Sequence, residues 1–421
     1  MGSGTIMRRH VASFLVLFFV HFGCQDIEAQ ESIRPSLAGS QIGEANRPAI
    51  NTGEFNLQLG PALVGFSAGV DLFYNDNIDL SETDRKSDLI IEPNVTANVL
   101  WQLSPDNTIR LNLGAGYVKY LTYHQFDSSS IAITPDSQLA FDIYAGDFKF
   151  TIFDQISIQQ NPIDEIDLSR VVRFERLQNS AGLNVTWDLN KVILFGGYTH
   201  YTLYSFDSAY DFLNENEDQV YLSGTLLLSD SLSAGVRGTF GHVYYDQNFQ
   251  NDSVHYSAGV FATAQLTRYV KGEAEVGYQG GNFNTGGGNG DVSQLNSPYF
   301  HVQLDHRQSR YWTNHVSLGY EAQLGLTTNY TSVFYVRYAG DWRVNRRTTA
   351  TITAYYEHSA DSSGTFEVEH INRVGGGILL SYTLGPKATL HAGYQIVDNN
   401  SDLIGHSFYQ NQVLLGIGYA F

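Results

Sequence analysis

Period-two segments, joined alternately by tight turns and longer polar loops, run along most of this 421-residue sequence. Alternation of apolar and polar side chains is typical of β-strands that have one face in an apolar environment. Successive tight turns lie roughly 35–45 residues apart, which is the length of two membrane strands with their connections. The repeat therefore predicts an antiparallel sheet built from hairpins. The tight turns fall near residues 104–107, 146–147, 190–191, 229–231, 267–268, 309–310, 345–346 and 385–387.

The predicted strands are too long for a soluble sandwich, whose strands usually have about five or six residues. Residues 93–103 alternate throughout, with Val95, Val99 and Trp101 on one face. A transmembrane strand needs about 9–11 residues, and closing the sheet removes its exposed edges. We therefore expect an all-β fold, a transmembrane up-and-down antiparallel β-barrel. The hairpins, with a first strand near 64–75 and a last near 406–421, give about 18 strands, with 16 as the alternative.

The first 29 residues have the organisation of a cleaved signal peptide. Arg8 and Arg9 precede an apolar stretch at residues 11–20 that is too short to span a bilayer, and cleavage is expected after Ala29. A membrane anchor helix is the alternative, and Cys24 leaves lipidation open. Residues 30–60 are expected to form a flexible periplasmic leader, with a small plug as the alternative. The barrel then occupies residues 61–421.

The sequence ends on an alternating apolar strand, whereas the ends of soluble domains are usually frayed and polar. One face of this strand carries Leu415, Ile417, Tyr419 and Phe421. The ending resembles the C-terminal signature of bacterial outer-membrane proteins, in which a terminal Phe and an aromatic residue two positions earlier are read by the assembly machinery. The resemblance implies an outer-membrane location, with outer-membrane lipid and the barrel-assembly machinery as partners.

Several other protein classes fit the sequence poorly. A formal net charge of −19 argues against nucleic-acid binding, which usually needs clustered Lys and Arg. The 13 histidines show no metal-ligand spacing, and no phosphate loop or dinucleotide fingerprint occurs, so we expect neither metal nor cofactor. Residues 65–69 match the G-x-S-x-G pattern, but Ser67 lies in an alternating strand with no helix after it. No catalytic residue and no enzyme activity are therefore expected.

The longer connections are acidic and polar, as expected for solvated extracellular loops. With an even number of strands, both termini and the tight turns lie on the periplasmic side. The glycine-rich residues 286–291 are expected to belong to a mobile loop rather than to a calcium site. The predicted long loops lie near residues 76–87, 124–135, 160–176, 206–216, 246–253, 280–297, 324–329, 359–369 and 398–405.

Alternation also predicts which charged side chains face the lumen. Charges of both signs on an inner wall could select solutes in a water-filled passage, or they could pair with one another and brace the wall. Both interpretations stay open, and the mixed signs argue against strong ion selectivity. The predicted lumenal candidates are Lys149, Arg237, Glu273, Glu275, Asp305, Arg307, Glu321, Arg337, Asp341, Glu357 and Arg373, with Asp71, Glu92, Arg110, His301, His315 and His391 beside them.

Tyrosines cluster at the strand ends, for example at residues 117–123, 198–204, 244–245 and 355–356. Because tyrosine has an apolar ring and a wet hydroxyl, these clusters favour an aromatic girdle at the lipid–water boundary. A lumenal aromatic track for sugars is the alternative.

Residues 71–78, which read DLFYNDNI, resemble the Tyr-x-Asp-Asn-aliphatic stretch of the β-barrel porin type 2 family. With the signal peptide, the hairpins and Phe421, the resemblance extends over nearly the whole mature chain. It implies a porin-like outer-membrane barrel, in a family that includes barrels associated with exopolysaccharide export, and it brings no established catalytic residues.

Three functions remain open. The first is a channel that passes small solutes or a secreted polysaccharide. The second is a structural or adhesive barrel whose extracellular loops bind partners. The third, which the sequence favours least, is an outer-membrane enzyme that modifies lipid or sugar. The sequence leaves the oligomeric state undetermined.

Overall fold

A computed structural model describes residue 37 and residues 55–160, 174–363 and 368–421. These residues form a closed antiparallel β-barrel of eighteen long strands, to which three short strands are added. The predicted fold and the predicted strand number are both confirmed. No helix in the described ranges is long and apolar enough to cross a membrane.

The strands are numbered along the chain. The three short ones are β1 (Leu57–Leu59), β5 (Lys119–Tyr120) and β6 (Ala132–Ile133). The long strands are β2 (Ala62–Asn75), β3 (Asp88–Ser104), β4 (Asn107–Gly116), β7 (Gln138–Ala145), β8 (Phe148–Gln159), β9 (Arg176–Asp188), β10 (Val192–Ser205), β11 (Glu215–Ser229), β12 (Leu232–Tyr245), β13 (Ser253–Thr267), β14 (Val270–Phe283), β15 (Leu295–Arg307), β16 (Trp312–Leu324), β17 (Tyr330–Arg343), β18 (Thr348–Asp361), β19 (His370–Gly385), β20 (Ala388–Ser401) and β21 (Phe408–Ala420). Two 3-10 helices, His124–Phe126 and Ser208–Leu213, lie in the loops.

Each long strand pairs with the next long strand along the chain, and the last pairs with the first. The closing pair joins β2 to β21, in a register that runs from Ser67 opposite Ala420 to Asn75 opposite Gln412. Because each of the eighteen long strands is paired on both sides, the ring of long strands has no open edge for another chain to extend.

The outward face of β21 is apolar and exposed to the lipid side. Leu415 and Phe421 are each 56% exposed, and Ile417 and Tyr419 are 46% and 44% exposed. The inward face of the same strand carries small and polar residues, including Gly416 and Gln412. The predicted face of the final strand is therefore the lipid face, whereas its reading by the assembly machinery stays a prediction.

The predicted signal peptide lies outside the described residues. Of the predicted leader, the structure describes Leu37 and residues 55–60. Leu57–Leu59 form β1 and pair with β2, so regular structure begins before the expected boundary at residue 61.

The tyrosine clusters divide between the two sides of the wall. Tyr198, Tyr204 and Tyr356 are 46%, 49% and 38% exposed on the outer face, as expected for a girdle. Tyr355 is only 5% exposed and faces inward. The expectation that all of these tyrosines belong to the girdle is wrong, because successive residues of a strand point to opposite faces.

Candidate functional site: the lumen of the barrel

The strand registers place all of the predicted lumenal charges on the inner face of the wall. Glu275, for example, lies opposite His301, and Arg337 lies opposite Ser317 and Tyr355. The lumenal side chains differ in exposure along the axis. On β15 to β19, those toward the extracellular end are mostly buried among their neighbours, whereas those toward the tight turns are more exposed. Near the turns of β4 and β7, by contrast, Arg110 and Asp142 are buried. We call these two parts the outer half and the periplasmic half of the lumen.

In the outer half, two arginines share one glutamate. Glu357 on β18 accepts from Arg337 Nη2 at 3.0 Å and from Arg373 Nε at 2.9 Å. The Glu357 side chain is 3% exposed, and the Arg337 guanidinium also stacks 4.5 Å above the Tyr335 ring. Because two cations surround one carboxylate, the cluster carries one excess positive charge and ties three neighbouring strands together.

A second cluster has the opposite balance. Arg237 Nη1 on β12 lies 2.8 Å from Glu275 Oε2, and Glu273 lies 3.9 Å from the same guanidinium. Tyr299 on β15 donates its hydroxyl to Glu275 at 2.8 Å. One arginine therefore faces two carboxylates. On its way from β12 to β14 the Arg237 guanidinium lies 4.5 Å from the ring of Phe261, which belongs to the intervening strand β13.

A third cluster contains an acid that the sequence analysis did not single out. Asp142 on β7 lies 2.8 Å from Arg110 Nε and 3.3 Å from Lys149 Nζ, and Thr151 donates to it at 2.7 Å. The alternation of β7 places Asp142 on the inner face, so the rule that selected Arg110 and Lys149 would also have found it. The Asp142 carboxylate therefore neutralises one of the two positive charges that Arg110 and Lys149 carry.

The periplasmic half holds carboxylates that remain in contact with water. His315 on β16 lies 2.8 Å from Asp305 and 3.7 Å from Asp341. The side chains of His315 and Asp341 are 41% and 53% exposed. The Asp341 carboxylate and the His315 ring are therefore available to a solute in the passage.

Two further lumenal candidates occupy the extremes of the wall. Arg307 is exposed at the periplasmic end of β15, and Glu321 is 9% exposed at the outer end of β16. Lys271 and Arg343, which the sequence analysis did not single out, are exposed on inward positions near Arg307. In this part of the wall, the position of a charged residue along its strand, as well as the face it lies on, thus decides whether it meets water.

The closing strands carry a polar group on their inner face. His391 Nε2 on β20 lies 3.4 Å from Asp71 on β2, and Asn94 on β3 donates to the same carboxylate at 3.1 Å. Between them, β21 contributes Gly416, where an added Cβ would collide with Asp71 and His391. Glycine at this position leaves room for His391 and Asp71 to meet across the closing strand.

The loop of residues 76–87 folds into the lumen. Its Leu80 is 3% exposed and packs against the inward-facing side chains of Tyr355, Val397 and Phe408. Leu80 has a φ of 48°, which is uncommon for a residue other than glycine. The Asp79 carboxylate raises the pKa of Lys86 in this loop, by hydrogen bond and by charge. The loop therefore narrows the outer half from the side of the closing strands.

Residues 75–77, from the stretch that resembles the porin type 2 family, anchor this loop. Asn77 is fully buried and donates to the carbonyl groups of Ser81 at 2.9 Å and Tyr409 at 3.0 Å. Both Asp76 carboxylate oxygens accept from Asn411 at 2.6 Å. The stretch thus joins the first strand to the last and starts the loop in its inward direction.

The tip of the β16–β17 hairpin also lies inside the barrel. Pairing between β15 and β16 stops at Phe300 and Tyr320. Beyond that point, Ala322 N–H donates at 3.3 Å to Gln279, an inward-facing side chain of β14. The Ala322 carbonyl accepts from Leu37 N–H at 2.8 Å. The outer end of β16 therefore lies against the inner surface of the neighbouring wall.

The hairpin loop reaches across the mouth of the barrel. Leu326 is buried against Phe174, Leu203 and Leu213, which belong to β10 and to the segments beside it. Strands β10 and β16 are separated by five others in the sheet order. A contact between them requires the loop to cross over part of the lumen.

Buried polar contacts hold several extracellular loops together. Asn251 donates to Asn329 at 2.8 Å and to the Asp291 carbonyl at 2.8 Å. Asp291 is 1% exposed, and its carboxylate accepts from Asn329 N–H at 2.9 Å and from Ser362 at 2.6 Å. The expectation of a mobile loop at residues 286–291 is therefore wrong, because Asn289 and Asp291 are packed into this network.

A family model described as "Putative beta-barrel porin 2" matches residues 57–421, which include every strand of the barrel. The chain belongs to this family. The protein is accordingly a porin-like barrel of the outer membrane. No curated protein is similar to it in sequence.

Solved porins share the fold of this porin-like barrel. OpdK of Pseudomonas aeruginosa, crystallised with vanillate, is 11% identical with a TM-score of 0.50, over 85% of this chain and 99% of that one. OccK2 (OpdF) of the same organism is 11% identical with a TM-score of 0.50, over 86% of this chain and 98% of that one. At this identity the likeness extends to the architecture alone.

Proposed function

We propose that this porin-like barrel is a diffusion channel for small hydrophilic solutes and that its inward-folded outer loops set the size limit. The observation that carries the proposal is the change in exposure along the lumen. Carboxylates such as Asp341 are exposed in the periplasmic half, whereas in the outer half Leu80 and Leu326 of the inward-folded loops are buried and Glu357 is 3% exposed. A wide wet vestibule that leads to a narrower charged section suits small solutes.

The charges on the inner wall favour polar solutes but do not strongly favour either anions or cations. The cluster around Glu357 has an excess positive charge, and the cluster around Arg237 has an excess negative charge. Charges of both signs on an inner wall create a field across the passage, which orients dipolar solutes. Acids and bases can therefore both enter, and weak selectivity is expected. OpdK was crystallised with vanillate, a small carboxylate, and a solute of that size is compatible with this proposal.

The other expected functions receive less support. A secreted polysaccharide would have to pass the outer mouth, where Leu80 and Leu326 lie inside the wall. For an adhesive function, the glycine-rich loop of residues 286–291 offers few free polar side chains, because Asn289 and Asp291 are buried in contacts with other loops. Ser67, in the G-x-S-x-G pattern, hydrogen-bonds Thr96 on the next strand instead of a histidine.

Planar-bilayer recording of the purified barrel tests the proposal. We expect discrete conductance steps, and liposome swelling with mono- and disaccharides that falls off steeply for longer oligosaccharides. Absence of any conductance step at any voltage would contradict the channel function. Equal swelling rates for disaccharides and long oligosaccharides would contradict the size limit and would favour polysaccharide passage.

A further inference from the structure

The periplasmic rim of the barrel has two differently charged parts. Turns between β13 and β20 carry basic side chains, all of them exposed: Arg268, Arg310, Arg346, Arg347 and Lys387. The tight turns between β3 and β12 carry mainly acidic ones: Asp106, Asp147 and Asp230, with Asp188 beside Lys191. We call the first group the basic crescent. A basic surface of this size is notable in a chain with a net charge of −19.

The cations of the basic crescent have no carboxylate partner among the described residues, since none of the five takes part in an ion pair there. In the lumen, by contrast, most arginines are paired, as Arg337 and Arg373 are with Glu357. Exposed and uncompensated cations at one depth of a membrane protein form an attractive surface for anions.

Aromatic rings beside these cations indicate the depth in the membrane at which the cations lie. The Arg268 guanidinium lies 4.7 Å from the Tyr269 ring, and that of Arg310 lies 4.5 Å from the Tyr311 ring. Both tyrosines are nearly half exposed, at 48% and 45%. Tyrosine favours the boundary between hydrocarbon and headgroups, so a guanidinium stacked on it lies at the level of the lipid phosphates.

Two tryptophans lie on the outer face beside these turns. Trp312 and Trp342 are the first residue of β16 and the penultimate residue of β17, and their ring centroids are 5.5 Å apart. They place the hydrocarbon boundary immediately next to Arg310 and close to Arg346. The basic side chains therefore face the headgroups of the lipid that surrounds the barrel.

We propose that the basic crescent binds the phosphate headgroups of anionic phospholipids in the periplasmic leaflet, and that the acidic part of the rim does not. The crescent gives the barrel a lipid-facing side that prefers negative headgroups. This site is separate from the lumen, and it would hold whether or not the barrel conducts.

The positions of the four tryptophans allow a direct test. Trp101 and Trp187 lie on the outer face beside acidic turns, and Trp312 and Trp342 lie beside the basic crescent. Two reporter variants are made: W101F with W187F, which keeps the crescent tryptophans, and W312F with W342F, which keeps the others. Each is reconstituted in phosphatidylcholine, and its fluorescence is quenched by brominated phosphatidylglycerol or brominated phosphatidylcholine.

At the crescent tryptophans we expect phosphatidylglycerol to bind about fivefold more tightly than phosphatidylcholine, because an anionic headgroup beside one cation gains about 1 kcal/mol, which corresponds to about fivefold in affinity. At the other reporter pair the two lipids should quench alike. Salt at about 1 M should abolish the preference, since it shortens the screening length to about 3 Å.

Substituting the basic residues of the crescent distinguishes the contribution of the cations to lipid binding from that of the aromatic rings. Changing all five basic residues to Gln in the crescent reporter should remove the preference, while the control K191Q should leave it intact. Folding of each variant is checked by its heat-modifiable gel mobility. Equal quenching by the two lipids at Trp312 and Trp342 would overturn the proposal. So would a preference that survives the five substitutions, or one that is equally strong at Trp101 and Trp187.

Discussion

In the outer half of the lumen, Glu357 is 3% exposed between Arg337 and Arg373, whereas in the periplasmic half Asp341 is 53% exposed beside His315. Both residues are acids on inward positions of adjacent strands. Glu357 is surrounded by guanidinium groups and tyrosine rings, so its charge is compensated locally. Asp341 keeps its hydration, and its charge extends into the passage. The same alternation rule therefore yields a structural charge at Glu357 and a solute-facing charge at Asp341.

The largest difference between the two halves should be in stability, and it should appear when the buried carboxylate of Glu357 is removed. We expect E357Q to lower the free energy of unfolding by about 3–5 kcal/mol, because it leaves the buried Arg373 and the partly buried Arg337 without a counter-ion. The matched control D341N removes an exposed acid and should cost less than about 1 kcal/mol. Denaturant titration of the barrel in lipid vesicles, followed by tryptophan fluorescence, measures both. Similar losses in the two variants would show that the halves do not differ.

Opening the outer half should change conductance more than any change in the periplasmic half. Replacement of residues 79–84 by two glycines removes Leu80 from its contacts with Tyr355 and Phe408. We expect conductance to rise several-fold, since the narrowest section dominates the resistance. As the control, the loop of residues 402–407 is shortened instead, because its Ile404 is 99% exposed and is therefore not packed against the wall. If both deletions leave conductance unchanged, the constriction lies elsewhere.

The smallest effect should be on ion selectivity, and it should come from the periplasmic half. We expect D341N combined with D305N to shift the reversal potential toward anion permeation, by at most about fivefold in permeability ratio, since two unit charges 4 Å apart interact by about 1 kcal/mol in water. The control D106N removes an exposed acid from a tight turn instead of from the inner wall. A shift in D106N as large as in the double variant would mean that rim charge, and not lumenal charge, sets selectivity.

Periodicity predicted most of this structure because barrel strands obey a strict two-residue repeat. Turn spacing predicted the eighteen strands, and alternation placed Glu357 and Arg373 inside and Leu415 and Phe421 outside. The same rule, applied residue by residue instead of to tyrosine clusters, would have placed Tyr355 on the inner face of the wall and Tyr356 on the outer face.

The direction of the loops could not be predicted in this way. Whether residues 76–87 turn inward depends on the contacts of Leu80 with Tyr355 and Phe408, which lie hundreds of residues later in the chain. The exposure of a lumenal charge has the same origin, because it depends on which loop covers it. The local pattern predicts which face of the wall a side chain lies on, whereas long-range packing determines how far that side chain is exposed to water.

The contact between Asp76 and Asn411 joins groups that are 335 residues apart in sequence. Such a contact closes a very long loop of chain, and the entropy of that closure must be overcome before its hydrogen bonds form. Topologies dominated by distant contacts also fold slowly. The barrel can therefore close only once the C-terminal strand β21 is in place beside β2. Until then, the Asn75–Asn77 stretch lacks its hydrogen-bonding partners on β21.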